Sequence, residues 1–309
     1  MKLQHLLVVI DPTRDDQPAL TRAQWIAERS GASVALLVCD YNPALDNGLL
    51  IPQHELERVR ILQQTERLDW LDKLAAPLRQ AGLDVRCHTR WGKPLYREIL
   101  AAVAEHQPDL VLKSSSRHGL LKRLFLTNTD WQLIRHCEVP LWLVHHGTWE
   151  GRKLCAALDP LHEGDKPAKL DRRLIATALE LNRRLGLHAS YLHAYVALPQ
   201  TLAFDAQLLG SYDEHLKATE AHHRQALHML MAAHPAMAAG DTHLLQGFPE
   251  EVIPEFVRNQ GIDLLLMGAV ARGQLENALI GHTAERVLEE VECDLLVLKP
   301  AGEPSSEKG

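Results

Sequence analysis

Two glycines flanking a polar loop carry the clearest chemistry in this chain. The stretch Met267-Gly268-Ala269-Val270-Ala271-Arg272-Gly273 follows an apolar run, and Gly281-His282-Thr283 opens a predicted helix. Glycine has no Cβ, so the backbone N–H groups around it can approach a phosphate closely. The free amides at the start of the Thr283 helix add the positive end of a dipole. His282 and Thr283 supply side-chain donors, and Arg272 lies in the loop itself. Asp159 ends an earlier apolar run, Leu154–Leu158, and falls at the rim of the same crevice if the fold is an open α/β sheet. Glycines at strand–loop–helix junctions also serve as plain turn residues. The residues alone therefore leave two readings, an anion site or a turn.

The loop belongs to a repeat. Asp109–Val144 reads DLVLKSSSRHGLLKRLFLTNTDWQLIRHCEVPLWLV, and Asp263–Leu298 reads DLLLMGAVARGQLENALIGHTAERVLEEVECDLLVL, aligned without a gap. A period of about half the chain implies a duplicated domain, because solenoid repeats run to roughly 20–50 residues. The copies diverge at the loop. Ser114 and Thr127 stand where the second copy has Gly268 and Gly281, with Arg117 and Asn128 at neighbouring positions. The tight backbone approach is lost there, although the serines and Arg117 could still meet an anion.

The elements that position the loop are legible from periodicity. Leu6–Ile10 is a continuous apolar run ending in Asp11-Pro12, as a strand buried on both faces requires. Asp15 or Asp16 then caps a helix with Pro18 in its first turn and Gly31 at its end. Strand Ser33–Val38, a long helix bearing Leu56, Val59, Leu68, Leu71, Leu74 and Leu78, and strand Val85–Thr89 follow. Helix Leu95–His106, strand Asp109–Lys113, helix Asp130–His136 and strand Val139–Val144 complete the unit. The second half predicts the same order: Leu154–Leu158, Leu170–Leu185, His188–His193, Asp213–Ala233, Thr242–Gln246, Pro249–Asn259, Asp263–Met267, Thr283–Glu290 and Leu295–Lys299. Trp91-Gly92-Lys93-Pro94 and Gln246-Gly247-Phe248-Pro249 mark the same strand-to-helix junction in both halves. Strands alternating with helices imply a parallel sheet, and right-handed crossovers make it doubly wound. The expected fold is thus α/β, two tandem doubly wound five-stranded parallel-sheet domains at 1–147 and 148–300. A polar tail at 301–309 is expected to be disordered. The mostly apolar segment Val196–Gly210 is expected either to cover a ligand pocket, to form an interface, or simply to extend the core.

Composition excludes several classes. A net charge of −7 and a pI near 6.2 argue against nucleic acid or an anionic membrane as the main partner. The apolar run at the N-terminus stops at Asp11, too short for a signal segment or a membrane span. The five cysteines show no CxxC spacing and read as reduced thiols in a cytoplasmic protein. No G-x-G-x-x-G, G-x-x-x-x-G-K-[ST] or G-x-S-x-G motif occurs, which removes the dinucleotide, P-loop and hydrolase-elbow readings. His215, His222, His223 and His228 share one predicted helix. Their spacing is wrong for a common metal, so they read as a solvated face with no metal motif.

The chain also resembles a known family, the universal stress proteins, in its tandem-domain form. The resemblance rests on VVIDPTRDDQPAL, DLVLK, TDWQLIRHCEVPLWLV, GFPEEVIP and GHTAERV…CDLLVLKP, and covers nearly the whole sequence twice over. It also rests on the family's G-x2-G-x9-G-[S/T] spacing, met here by Gly268, Ala271, Gly281 and His282. The family's ATP-binding members imply a nucleotide held by Asp159 and Ala194 at the adenosine. They further imply Met267 and Gly268 at the ribose-phosphate side, Gly281, His282 and Thr283 at the phosphates, and Ala271 and Arg272 among the nucleotide-binding residues. Ala271 replaces the second glycine, so a left-handed backbone there would cost about 1–2 kcal/mol. His282 replaces the hydroxyl residue and titrates near neutrality. The resemblance implies ATP or a related nucleotide with Mg²⁺ admissible beside it, binding rather than turnover, and at most a weak ATPase. It also implies an intramolecular pseudo-dimer of the two domains, open to further homodimerisation. The alternative from another class is an interaction scaffold or a binder of an apolar, lipid-like ligand, using the 196–210 segment.

Overall fold

The computed structural model describes residues 1–45, 52–115, 126–145, 149–161, 169–197, 206–234, 240–269 and 282–300. The chain divides into two compact units, one ending at His146 and the other continuing from Gly147. The first unit runs β1 (His5–Val9), α1 (Pro18–Ser30), β2 (Ser33–Asp40), α2 (Gln53–Gln80), β3 (Val85–Trp91), α3 (Leu95–His106), β4 (Leu110–Ser114), α4 (Asn128–His136) and β5 (Leu141–Val144). The second runs β6 (Lys153–Ala157), α5 (Lys169–Leu185), β7 (His188–Tyr195), α6 (Ala206–Ala232), β8 (Asp241–Gln246), α7 (Pro249–Gln260), β9 (Leu264–Gly268), α8 (His282–Glu290) and β10 (Asp294–Leu298).

Each unit has the order third–second–first–fourth–fifth strand: β3-β2-β1-β4-β5 and β8-β7-β6-β9-β10. The pairs within each unit are parallel. Val8 faces Leu36 on one side and Leu112 on the other, and Cys155 lies likewise between Ser190 and Leu265. The central strands bury both faces, which explains their unbroken apolar runs. α1 packs on β1 and β4, α2 on β3, and α3 against α4, the arrangement of a doubly wound sheet. The expected fold class is therefore present in each unit.

Two local devices recur. Gly31 and Gly186 end α1 and α5 at φ +72° and +73°, a conformation costly for residues with a Cβ. Asp263 Oδ2 accepts from the backbone N–H groups of Arg152 and Lys153, both at 2.9 Å, so the fourth strand's aspartate fixes the start of the first. Asp109 does the same for Gln4 and His5 at 2.9 and 3.0 Å.

Several boundaries differ from the sequence expectation. β2 and β3 extend together to the pair Asp40–Trp91, and β7 runs on to Tyr195, opposite Gln246, where β8 ends as expected. The ladder carries β2 past its last apolar residue, Cys39, to Asp40. α6 starts at Ala206 rather than Asp213, so the end of the Val196–Gly210 segment is helix. Residues 198–205 of that segment lie outside the described ones.

Candidate functional site

In each unit the chain leaves the first strand toward one side and the fourth toward the other, opening a crevice at their carboxyl ends. β6 lies between β7 and β9, so Asp159, just past β6, sits between the strand of Ala194 and the strand of Met267 and Gly268. The side chain of Asp159 is exposed, and its backbone N–H donates to Asp171 Oδ1 of α5 at 3.1 Å. The counterpart in the first unit is used locally. Asp11 Oδ1 accepts from the Thr13 N–H at 2.9 Å and from the Thr13 hydroxyl at 2.6 Å. Two residues past Asp159 stands Leu161, which has no hydroxyl to engage the carboxylate in that way.

Gly268 has a packing reason to be glycine. A Cβ there would fall on Leu170 Cδ2 and lie 2.9 Å from Leu170 Cγ. The first turn of α5 therefore comes down onto the end of β9. Ser114, in the matching position, instead accepts the Ala19 N–H at 3.1 Å, satisfying an otherwise orphaned amide near the start of α1. Ser115 donates its hydroxyl to Val144 O at 3.1 Å. Both serines are buried, and the Ser115 hydroxyl hydrogen is already given to the backbone, whereas Ser114 is used there as an acceptor. Arg117 lies outside the described residues.

The helix that follows the loop is closed in one unit. At the start of α4, Thr127 Oγ1 accepts the Asp130 N–H at 3.2 Å. Asp130 Oδ2 accepts from the Thr127 N–H at 2.7 Å and from the Thr127 hydroxyl at 2.8 Å, a capping box. Lys113, at the end of β4, places Nζ 2.8 Å from Asp130 Oδ1. A carboxylate of the protein with its own counter-ion thus occupies the amide end of α4. In α8 the third residue, which matches Asp130, is Ala284, and the residue matching Lys113 is Met267, which is buried. Neither can repeat that closure. Thr283, the second residue of α8, is exposed. Ala271, Arg272, Gly281 and the side chain of His282 lie outside the described residues.

The structure adds two residues that the sequence reading did not assign to the site. His193, fully enclosed at 2% exposure, precedes Ala194 on β7, and its Nδ1 lies 3.0 Å from Leu158 O. Its Nε2 lies 2.8 Å from His223 Nδ1 of α6. Tyr195 stacks on the His223 ring with centroids 4.8 Å apart, and His222 meets it edge-on. His223 was expected on a solvated face; instead it shares a face with Leu227 and Leu230, which are buried four and seven residues on. That spacing was the available signal. The apolar neighbours of His193 in its strand were the other.

Burial holds the His193 imidazole below its ordinary value, opposed by its bond to the Leu158 carbonyl and by the Asp159 charge. His223 is lowered by burial, then by His193 and His222, and Asp159 again opposes. Burial pushes the Cys155 thiol up to about 12 and Cys293 well above the usual range, so neither is a ready nucleophile. Among the described residues no three His, Cys, Asp or Glu groups could hold a metal ion. Among the same residues no helix is long and apolar enough to cross a membrane.

Comparison with known proteins agrees with this architecture. The chain is 31% identical over 301 residues to universal stress protein E of Salmonella typhi, covering 96% of this chain and 94% of that protein. It is 30% identical over 301 residues to universal stress protein E of Escherichia coli K12, with the same coverage. A crystal structure of a functionally unknown protein from Pseudomonas aeruginosa PAO1 superposes with a TM-score of 0.73 at 26% identity, covering 97% of this chain and 93% of that one. A universal stress protein from Archaeoglobus fulgidus shares the fold, with a TM-score of 0.66 at 15% identity, covering 96% of this chain and 97% of that one. The profile of the universal stress protein family matches twice, at residues 2–145 and 165–299, and the chain belongs to that family.

Proposed function

We propose that this chain is a cytoplasmic stress-response protein that binds an adenine nucleotide, or a related phosphate-bearing small molecule, in its second unit. The observation that carries the reading is the contrast between α4 and α8. The amide end of α4 is taken by Asp130 and Thr127, with Lys113 beside them. The matching positions of the second unit hold Ala284, Gly281 and Met267, none of which brings a charge or an oxygen. An incoming phosphate would complete there what Asp130 completes in the first unit, with the helix dipole favouring its charge. Asp159, exposed at the neighbouring strand end, would take the ribose side. Met267, Gly268, Ala271 and Arg272 would follow the phosphate chain, with His282 and Thr283 at its end and Ala194 beside the base. Mg²⁺ would be held by the phosphates rather than by a cluster of protein ligands. Binding is the proposed activity, and turnover at most slow.

Calorimetric titration of the purified protein with Mg-ATP tests this. Saturable binding that is lost in Ala284→Asp, with the circular dichroism spectrum kept, is the expected result. An absence of binding in the parent protein, or undiminished binding in Ala284→Asp, overturns the reading.

A further inference from the structure

The hydrogen-bond chain through His193 and His223 has only one arrangement of protons when both rings are neutral. Leu158 O is an acceptor only, so the His193 Nδ1 beside it must carry the hydrogen. A neutral imidazole then has a bare Nε2, which can only accept from His223 Nδ1–H. His223 Nε2 is left as the open lone pair of the chain. Among the described residues no hydrogen-bond donor reaches it, and the ring is only half buried. The far end of the chain is tied to the carbonyl immediately before Asp159, so the pair sits beside the crevice of the second unit.

This fixes where an added proton goes. At His223 Nε2 it leaves both existing hydrogen bonds intact and makes the one between the rings charge-assisted. Once it is there, the hydrogen between the rings can sit on His223 Nδ1 or on His193 Nε2 with both bonds kept, so burial decides which ring carries the charge. The pair accepts one proton as a unit, and the charge resides on the outer ring because His193 is 2% exposed whereas His223 is only half buried. The groups around it are Asp159 from the loop after β6, Tyr195 from β7, and His222, Glu220 and Arg224 from α6. Glu220 and Arg224 are paired with each other, the Tyr195 ring lies flat on His223, and Asp159 favours the cation.

We infer that His193 and His223 form a single-proton switch on the site of the second unit. Acidification turns His223 Nε2 from a hydrogen-bond acceptor into a cationic donor while His193 stays neutral, and anionic ligands bind more tightly as the pH falls. The binding half of this inference rests on the nucleotide site proposed above; the proton's location does not.

Long-range nitrogen–proton NMR on histidine-labelled protein, titrated from pH 8 to pH 5, reads the location directly. The expected spectrum has both rings in the Nδ1–H form at high pH and His223 alone becoming doubly protonated. A His193 Nε2–H tautomer, or charging of His193 before His223, overturns the switch. Calorimetry with Mg-ATP at pH 7.5 and pH 5.8 reads the consequence. The parent protein should bind roughly three- to tenfold more tightly at the lower pH than His223→Gln does, and equally at the higher. An identical pH dependence in the two proteins overturns the coupling, because the titration of ATP itself is common to both. If Mg-ATP binds at neither pH, the nucleotide site and the binding half fall together, and the NMR titration still decides where the proton resides.

Discussion

Asp130 accepts two hydrogen bonds from Thr127, one from its backbone N–H at 2.7 Å and one from its hydroxyl at 2.8 Å, while its own N–H donates back to that hydroxyl oxygen at 3.2 Å. This reciprocal closure lies at the position where the second unit carries Gly281 and Ala284. The duplicated scaffold thus carries different residues at the same helix end, a hydroxyl and a carboxylate in the first unit and neither at the two matching positions of the second.

Removing the closing carboxylate should be costly. Asp130 is fully buried, and Asp130→Asn would leave Lys113, only 16% exposed, without its counter-ion. A loss of about 3 kcal/mol or more in the stability of the first unit is expected, as for a broken buried pair. Thr127→Ala, which removes only the cap, should cost about 1 kcal/mol. Five of the six tryptophans lie in the first unit, so urea unfolding followed by tryptophan fluorescence reports on it. Equal costs for the two variants would show that Lys113 draws nothing from Asp130.

Gly268 should be coupled to Leu170. Gly268→Ala places a methyl group against the Leu170 side chain and is expected to destabilise the second unit by about 1–2 kcal/mol. Combined with Leu170→Ala, the methyl group finds space, and the double variant should be more stable than the sum of the singles predicts by about 1 kcal/mol. Hydrogen exchange of the α5 and β9 amides measures this within the second unit. Strict additivity would mean that the side chain yields without strain, and that Gly268 is not required by packing.

The second unit should lose stability in acid. Both His193 and His223 are held below the ordinary histidine value of 6.5. As the pH falls through 6.5 the unfolded chain gains protons that the folded chain does not, so stability decreases. The contribution is fully present above that value and is lost toward the lower folded values. Hydrogen-exchange protection of β7 and α6, corrected for the intrinsic rate, should fall between pH 7.5 and pH 5.5. The slope should be shallower in His223→Gln. Protection that rises with acid would contradict the sign.

The alternative use of the 196–210 segment is separable from nucleotide binding. If that segment serves the nucleotide site only as structure, replacing Leu202, Leu208 and Leu209 with serine should leave the affinity for Mg-ATP within about twofold of the parent, while Asp159→Ala lowers it by tenfold or more. Calorimetry on both variants checks the pair of outcomes. The reverse pattern would transfer the site to the segment.

Much of this protein is written in local sequence. Strands with both faces buried must be continuous in apolar residues, as Leu6–Ile10 and Leu264–Met267 are, and the helices between them must repeat every three to four residues. The gap-free repeat from Asp109 and from Asp263 therefore disclosed two doubly wound units. The position of Asp159 at the end of an apolar run puts it at the carboxyl end of a strand, where the crevice opens. The cap of α4 was missed, since the helix was expected from Asp130, although Thr127 and Asp130 stand at the spacing a capping box requires.

What the sequence alone left undetermined are the meetings of residues far apart in the chain. Lys113 reaches Asp130, Leu170 covers Gly268, and His193 bonds to His223 only because parallel strands joined by crossover helices bring these positions together. Periodicity records which face of an element is apolar, but not which residue of another element will lie against it. The spacing to Leu227 and Leu230 could assign His223 to the inner face of its helix, but that its ring meets His193 follows only from β7 lying beneath it.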